Sequence, residues 1–342
     1  MRRKIIAVIC CIVLCLSLAS CGSSSQKSPG KIKVGVLVYD ESDTFLKSVV
    51  DEMISYAKAK SKGAIDVTIT VGDASGDQSL QNEQMEDMIA NGCNVLAINL
   101  VDRTDPTSII NLAKKNNVPI VFFNRELVKH DLERWNKLYY VGAPADRSGI
   151  MQGEEIADYV KDHPEVDRNG DGKLQYVLIK GEQNHQDTII RSEKSVSTAM
   201  SYGLNLEKLS GEVANWSRAQ AQNRIQQLIN EYGDKIELVI CNNDDMALGV
   251  IDEYKKRNTP IDDYPAIFGV DGTEVAIKEL KEGTLKGTVY NDAVAQADKI
   301  MQIALALAQN KDVSRVTHSN EKSYYIDYQK VTAKNASEFA AK

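Results

Sequence analysis

Apolar residues follow two alternating patterns along the chain. Short continuous apolar runs are typical of strands buried on both faces, and segments with apolar residues three or four apart are typical of helices. The runs predict strands at 31–39, 66–71, 95–101, 120–123, 139–141, 174–179, 206–213, 236–241, 266–270 and 288–290. The second pattern predicts helices at 44–61, 78–91, 106–116, 146–161, 188–203, 217–231, 245–257, 273–281 and 293–309.

This alternation predicts parallel sheets covered by helices on both faces. The pattern restarts after residue 125 or so, and the chain of 342 residues exceeds the roughly 250–300 residues at which single cores stop growing. The sequence therefore predicts an α/β protein with two doubly wound lobes.

The first 20 residues have the order of an export signal. Three basic residues precede an apolar run at 5–18, which is shorter than the roughly 20 residues of a membrane-spanning helix. The segment 18–21 resembles a bacterial lipobox, which predicts cleavage before Cys21 and attachment of lipid to its thiol. Residues 21–30 then form a polar tether. Secretion without lipid is the alternative, in which Cys21 is incidental.

Composition narrows the class of function. The net charge is −7 and no basic block follows the signal, which argues against a nucleic-acid partner. Outside the signal and Cys21, the cysteines are Cys93 and Cys241, both in or beside apolar strands. We expect two buried free thiols, with a disulfide as the alternative.

Residues 167–175 match most of a calcium-binding loop. Carboxylate and amide oxygens stand at the first, third, fifth and ninth positions, a glycine at the sixth, and the carbonyl of the seventh completes the pattern. The twelfth position, normally Glu, is Leu178, so a complete EF-hand is excluded. The missing carboxylate is expected from Glu237, the lone charge in an apolar strand. The predicted ligands of one structural Ca²⁺ are Asp167, Asn169, Asp171, Lys173, Gln175 and Glu237. The alternative is a solvated turn, with Glu237 facing water.

Polar and aromatic residues collect in or just beyond the carboxyl ends of the predicted strands. Ligands of open parallel sheets bind there. The set is Asp43, Phe45, Asn99, His185, Asp187, Arg191, Trp216, Asn243, Asp271 and Asn291. Carboxylates, amides and an arginine suit the hydroxyls of one sugar ring, and aromatic rings stack on its C–H faces. Alternatively, the aspartates cap helices, His185 is a surface residue and Trp216 lies in the core.

Several longer motifs carry a family resemblance. They are Ala97-Ile-Asn-Leu-Val-Asp102, Val118-Pro-Ile-Val-Phe-Phe-Asn124, Tyr140-Val-Gly142, Gly149-Ile-Met-Gln-Gly153, Asn242-Asn-Asp244, Phe268-Gly-Val-Asp271 and Gly287-Thr-Val-Tyr-Asn-Asp292. With them the chain, from about residue 32 onward, resembles the periplasmic galactose/glucose-binding proteins, the receptors of sugar ABC importers. The resemblance implies that the ten residues above bind D-galactose or D-glucose and that the six loop residues bind calcium.

The resemblance also implies the architecture. Two lobes of the type I periplasmic binding protein fold are joined by three crossings and close around the ligand. Mapped here, the first lobe comprises 31–119 plus 292–321, and the second comprises 120–291 plus 322–342. We expect a monomer that is held by lipid at the outer face of a bacterial membrane and delivers sugar to an ABC permease.

Four other functions are alternatives to sugar delivery. A glycosidase could use Asp43, Asp187 and Asp271 as acid and base, but the strand pattern is not that of an eightfold barrel. A sugar-sensing repressor needs a basic DNA-binding headpiece where this chain has its lipobox. A sensor that reports sugar to a chemoreceptor or a histidine kinase, or a binder of another monosaccharide, stays open.

Overall fold

The fold was analysed in a computed structural model, which describes residues 30–61 and 65–339. The predicted signal, most of the tether and Cys21 lie outside the described residues. Within the described part, no helix has the length and apolar character that crossing a bilayer requires.

The predicted α/β architecture is confirmed, since two parallel sheets each lie between layers of helices. The strands of the first sheet are β1 (Gly30–Val38), β2 (Ile65–Asp73), β3 (Val95–Ile98), β4 (Ile120–Phe123), β5 (Leu138–Gly142) and β11 (Ser323–Tyr325). Their spatial order is β11-β5-β4-β3-β1-β2, and every neighbouring pair is parallel.

The second sheet is parallel except at one edge. Its strands are β6 (Leu174–Lys180), β7 (Leu206–Val213), β8 (Leu238–Cys241), β9 (Ala266–Phe268), β10 (Gly287–Tyr290) and β12 (Gln329–Thr332). The order is β12-β10-β9-β8-β6-β7, and β12 runs antiparallel to β10.

Helices connect the strands in both lobes. In the first lobe they are α1 (Thr44–Lys60), α2 (Gln78–Ala90), α3 (Thr107–Asn116), α4 (Lys129–Glu133), α10 (Ala293–Ala308) and α11 (Ser314–Thr317). In the second lobe they are α5 (Ala145–Asp162), α6 (Gln186–Ser201), α7 (Arg218–Tyr232), α8 (Asp244–Lys256) and α9 (Glu274–Glu282). The short elements α4, α11, β11 and β12 were missed, because they are too short to show a period.

The predicted boundary between the lobes is wrong. It placed residues 120–142 in the second lobe and ended the first at 321, but β4 pairs with β3, β5 pairs with β4, and β11 pairs with β5. The chain therefore crosses between lobes at 143–144, 291–292 and 326–328, which we call the first, second and third connections. Strands of both sheets are continuously apolar, so the sequence pattern does not show to which sheet a strand belongs.

Each sheet is covered on both faces by apolar packing. In the first lobe, α1 and α10 cover one face through residues such as Val49 and Ile300, and α2 and α3 cover the other through Met85 and Ile109. Cys93 and Cys241 are buried free thiols, as predicted. The stacked layers fix the carboxyl ends of both sheets, which face each other across the cleft between the lobes.

Candidate functional site

A cleft between the lobes brings most of the predicted ligand-binding residues together. It is a small cavity, with about 350 Å³ of space that includes the solvent at its mouth, and it suits one small molecule. Its lining consists of Tyr39, Asp43, Phe45 and Asn124 from the first lobe, and His185, Asp187, Arg191, Trp216, Asn243 and Asp271 from the second. Eight of these were predicted from the sequence. The structure thus places the carboxyl ends of both sheets around one cavity.

Asp43 both caps a helix and faces the cleft. One carboxylate oxygen accepts a hydrogen bond from the backbone N–H of Leu46 at 3.0 Å, which makes Asp43 the N-cap of α1. The other accepts the hydroxyl of Tyr39, also at 3.0 Å. Burial raises the pKa of Asp43, and the Leu46 N–H opposes that rise by stabilising the charged form. Asp43 therefore combines the two roles that the sequence suggested as alternatives, helix cap and residue of the cleft wall.

Asn99 does not line the cleft, contrary to the prediction. Its side chain is fully buried, and its Oδ1 accepts the N–H of Tyr39 at 3.2 Å. Its Nδ2 donates to Oδ1 of Asn124 at 3.0 Å and, at 3.3 Å, to the carbonyl of Phe123. Asn99 therefore holds two cleft residues in place rather than forming the wall itself.

Sequence reasoning missed Tyr39 and Asn124. Asn124 directly follows β4 and has a left-handed backbone with φ 61°, a conformation that asparagine adopts more readily than most residues. It stands at the carboxyl end of a strand, so the rule that selected the other residues also applies to it. Tyr39 lies at the end of the apolar run that forms β1, so the sequence pattern predicts a core residue at this position.

The start of α6 supplies the polar wall of the second lobe. Nδ1 of His185 accepts the N–H of Asp187 at 3.1 Å, so the neutral ring carries its proton on Nε2. Burial lowers the pKa of His185 well below its usual value, and the charges of Arg125, Arg191 and Arg103 lower it further. His185 is therefore neutral at pH 7 and presents an N–H donor.

Asp187 and Arg191, which lie four residues apart in α6, form an ion pair. Nη2 of Arg191 lies 3.0 Å from the Asp187 carboxylate and 3.1 Å from the hydroxyl of Tyr328, and Nη1 donates to the carbonyl of Asn242 at 2.8 Å. Nη1 also lies 3.9 Å from the carboxylate of Asp271. The buried guanidinium is thus fixed from several sides, with a carboxylate on either side of it.

Trp216 reaches the cleft through an unusual backbone. Asn215 and Trp216 both have left-handed φ angles, 49° and 62°. The indole packs over Gly181, where an added Cβ would come within 2.2 Å of the ring. The ring of His185 meets the indole edge-on, with centroids 5.2 Å apart. Phe45 and Tyr39 line the same cavity from the opposite lobe, so aromatic side chains bound it from both lobes.

The carboxyl ends of β8, β9 and β10 complete the site. Asn243 caps α8 through the N–H of Met246 at 2.9 Å. Asp271 has φ 125°, a strained conformation for a residue with a side chain, and burial raises its pKa well above the usual range. Asn291 does not line the cavity. It lies behind Asp271, whose carbonyl accepts its N–H at 2.9 Å, and its Oδ1 accepts Nε2 of Gln296 at 2.6 Å.

Contacts between the lobes hold the cleft closed. Arg125 of the first lobe pairs with Glu182 of the second at 2.8 Å. The hydroxyl of Thr44 reaches the carboxylate of Asp245 at 2.5 Å. Gln186 donates to Glu126 at 3.1 Å. A ligand in this cavity is therefore enclosed by both lobes.

The predicted calcium loop is folded around its own hydrogen bonds. The Asp167 carboxylate accepts the N–H groups of Gly170 and Gly172, each at 2.9 Å. Glu237 is buried, contrary to the alternative that it faces water, and it accepts the N–H groups of Arg168 at 2.8 Å and Gln175 at 3.0 Å. The loop and the strand carboxylate predicted to join it are therefore in contact.

The donor set of this loop is entirely oxygen, which suits a hard cation such as Ca²⁺. Within residues 30–61 and 65–339, no three His, Cys, Asp or Glu side chains converge as metal ligands. Amide and carbonyl oxygens would therefore have to complete the coordination. Asn169 and Gln175, whose side chains bond each other at 3.0 Å, are the amides in reach.

The chain is similar to known proteins over most of its length. The family model described as a periplasmic binding protein domain matches residues 34–312. The D-galactose/methyl-galactoside binding periplasmic protein MglB of Haemophilus influenzae is 33% identical over 312 residues, 91% of each chain. A xylitol-binding protein of Mycolicibacterium smegmatis is 26% identical over 91% of this chain and 82% of its own. A solved ABC transporter solute-binding protein from Bacillus halodurans, with bound myo-inositol, has a TM-score of 0.75 at 26% identity and covers 92% of this chain and 99% of its own.

Proposed function

We propose that this chain, which belongs to the periplasmic binding protein domain family, captures D-galactose or D-glucose in its cleft for an ABC importer. The family model spans most of the chain, and the relative MglB is named for galactose binding. The structural relatives are solute-binding proteins of ABC transporters, which supports a binding role rather than catalysis.

The observation that supports a sugar best is the make-up of the cleft wall. Three carboxylates, those of Asp43, Asp187 and Asp271, accept hydrogen bonds, and Arg191 and the N–H of His185 donate them. Each buried hydroxyl of a ligand needs such partners, because an unpaired polar group costs about 1–3 kcal/mol. A neutral ring with hydroxyls around its edge fits this alternation of donors and acceptors.

The aromatic walls favour a pyranose. Phe45 and Trp216 line the cavity from opposite lobes, and the C–H faces of a pyranose stack on such rings. The cavity is small, so it leaves little room for a second sugar unit. We therefore expect one hexopyranose between the rings, with Asn124 among its hydrogen-bonding partners.

We further propose one structural Ca²⁺ in the loop. Asp167, Asn169, Asp171, Gln175 and Glu237 would supply side-chain oxygens and Lys173 its carbonyl. The support is the buried Glu237, which accepts hydrogen bonds from the neutral backbone N–H groups of Arg168, Asn169 and Gln175. The ion would balance the charge of the buried Glu237, and its role would be stability rather than chemistry.

We also propose a cellular location for the protein. Lipidation of Cys21 would hold the protein at the outer face of a bacterial membrane, beside the permease. Metabolic labelling of cells with a fatty-acid probe tests this. We expect the label on the wild type and its loss in Cys21→Ser. Label that survives in Cys21→Ser would refute the lipid anchor.

Calorimetric titration tests the choice of sugar. The panel should contain D-galactose, D-glucose, D-xylose, D-ribose, myo-inositol and maltose. We expect tight binding of one or both hexoses and far weaker binding of maltose. Tight binding of ribose or myo-inositol without heat from either hexose would overturn the hexose assignment and leave a binder of another polyol.

A further inference from the structure

Tyr328 occupies the point where the connections between the lobes meet the binding cleft. It is the last residue of the third connection, and only 4% of its surface is exposed. Its ring packs with Val270 and Val289 and against Ala143 of the first connection. Val270 immediately precedes the cleft residue Asp271. Tyr328, itself part of the third connection, therefore contacts both the first connection and the base of the site.

The hydroxyl of Tyr328 also holds Arg191, which lines the cleft. Nη2 of Arg191 donates to it at 3.1 Å, and the bond is buried on both sides. The other bonds of the guanidinium, to Asp187 and to the carbonyl of Asn242, come from within the second lobe. Tyr328 is thus the contact that ties this ligand-facing cation to a segment joining the lobes.

We propose that Tyr328 is a positioning residue that links the orientation of Arg191 to the closure of the cleft. The position of its hydroxyl depends on the backbone angles of residues 326–328, and hinge segments absorb the angular change of lobe motion. The bond to Arg191 is formed in the closed arrangement. It therefore stabilises closure and the ligand-binding orientation of Arg191 together. This inference rests on the proposed function, because Arg191 is taken to face the ligand.

The chemistry of the tyrosine fits this role. Burial raises the pKa of Tyr328 to about 12, so it is a neutral phenol at physiological pH and offers an oxygen lone pair to the guanidinium. Tyr328→Phe deletes this acceptor and keeps the ring that packs on Val270 and Val289. A purely structural role for Tyr328 resides in that ring, which the variant leaves in place.

The binding test compares two tyrosines of the same segment. In Tyr328→Phe we expect Kd for the preferred sugar to rise roughly tenfold, as for a hydrogen bond to a charged group, mainly through faster dissociation. The matched control is Tyr324→Phe. That hydroxyl is also buried and bonds Thr317 at 2.9 Å, but it does not touch the cleft. Tyr324→Phe should lower the melting temperature and leave Kd within twofold.

A second measurement needs no sugar. Spin labels on Lys47→Cys and Ala219→Cys, two exposed positions in different lobes, report the distance across the cleft. We expect Tyr328→Phe to shift the distance distribution toward the open form, and Tyr324→Phe to leave it unchanged.

Both measurements can overturn the proposal. Unchanged Kd and off-rate in Tyr328→Phe, with a wild type that binds sugar, would refute it and leave the proposed function intact. A wild type that binds none of the sugars would refute the proposed function, and the label distances would then decide on Tyr328 alone. Equal effects of the two tyrosine variants would show a merely structural role.

Discussion

Arg125 of the first lobe and Glu182 of the second form an ion pair across the cleft, with 2.8 Å between Nη2 and Oε1. The guanidinium of Arg125 also lies 3.6 Å from the centre of the Tyr39 ring and donates to the carbonyl of Val101 at 2.7 Å. The Arg125 side chain is nearly buried and that of Glu182 partly so. This pair therefore stabilises the closed arrangement directly.

The first prediction concerns this pair. Glu182→Gln removes the charge and keeps the shape, so sugar should dissociate faster, by about fivefold, because loss of a partly buried charge partner acts mainly on the off-rate. Stopped-flow fluorescence measures the rate. The control is Asp51→Asn, which breaks the exposed pair with Lys47 and should change nothing. Equal off-rates in Glu182→Gln and wild type would contradict the prediction.

Stacking on Trp216 gives the second prediction. Trp216→Ala should raise Kd for any bound pyranose by at least about tenfold, since the variant loses the aromatic contact on one ring face. Titration calorimetry measures Kd. Trp135→Phe is the control, because Trp135 is partly buried against the core of the first lobe and does not line the cleft. If both variants bind like the wild type, the ligand does not stack on Trp216.

Asn124 and Asn99 should separate binding from stability. Asn124→Gly suits the positive φ at that position and leaves Nδ2 of Asn99 with the carbonyl of Phe123 as its acceptor, so Kd should rise while the free energy of unfolding changes less than in Asn99→Ala. Asn99→Ala leaves the N–H of Tyr39 without its buried acceptor and should cost about 1–3 kcal/mol of unfolding free energy. Urea unfolding and calorimetry together check this. If Asn99→Ala raised Kd and Asn124→Gly instead lowered the free energy of unfolding, Asn99 would be the ligand-binding residue.

These two asparagines also show where sequence reasoning succeeds and fails. The alternation of apolar strands and helices predicts the layered α/β lobes, since strands that are buried on both faces are continuously apolar. The same uniformity hides which sheet a strand joins, so β4 and β5 were assigned to the wrong lobe. A polar residue inside an apolar strand, such as Asn99, indicates a nearby site. Whether its side chain faces the ligand or a neighbouring loop depends on pleat and on the turn at Asn124, which the pattern does not encode.

A pH dependence of stability follows from His185. Its folded pKa lies well below the usual 6.5 or so, so below about pH 6.5 the unfolded chain binds a proton that the folded chain does not. This residue therefore lowers stability as the pH falls through that window, and its contribution is restored as the pH rises. His185→Asn keeps a capping side chain without titrating there.

Urea unfolding at pH 7.5 and 5.5 tests this. We expect the wild type to lose more unfolding free energy than His185→Asn between these values, by up to about 1.4 kcal/mol per pH unit below 6.5. Parallel losses in the two proteins would show that His185 does not titrate as described.

The last prediction concerns calcium. Chelation should lower the melting temperature of the wild type, because a ligand that binds only the folded state stabilises it. Glu237→Gln should melt lower and respond less to added Ca²⁺. Glu193→Gln serves as control, because Glu193 is an exposed partner of Lys194 and does not contact the loop residues. A melting curve that does not move on chelation, in protein shown to be metal-free, would refute the calcium proposal.

Helix α10 (Ala293–Ala308) is part of the core of the first lobe, whose first strand begins at Gly30. Residues such as Ile300 and Met301 pack with Val34 and Val49 in one cluster, so one face of the first sheet lacks its cover until nearly the whole polypeptide has been made. Contacts of such long sequence separation slow folding, because a long loop must close before they form. We therefore expect the first lobe to complete its folding only after the ribosome has synthesised the second lobe, which lies between the two halves of the first in the sequence. When one lobe is inserted in the sequence of the other in this way, a polypeptide would stay unfolded enough to pass through a translocation pore and would fold after it has crossed the membrane.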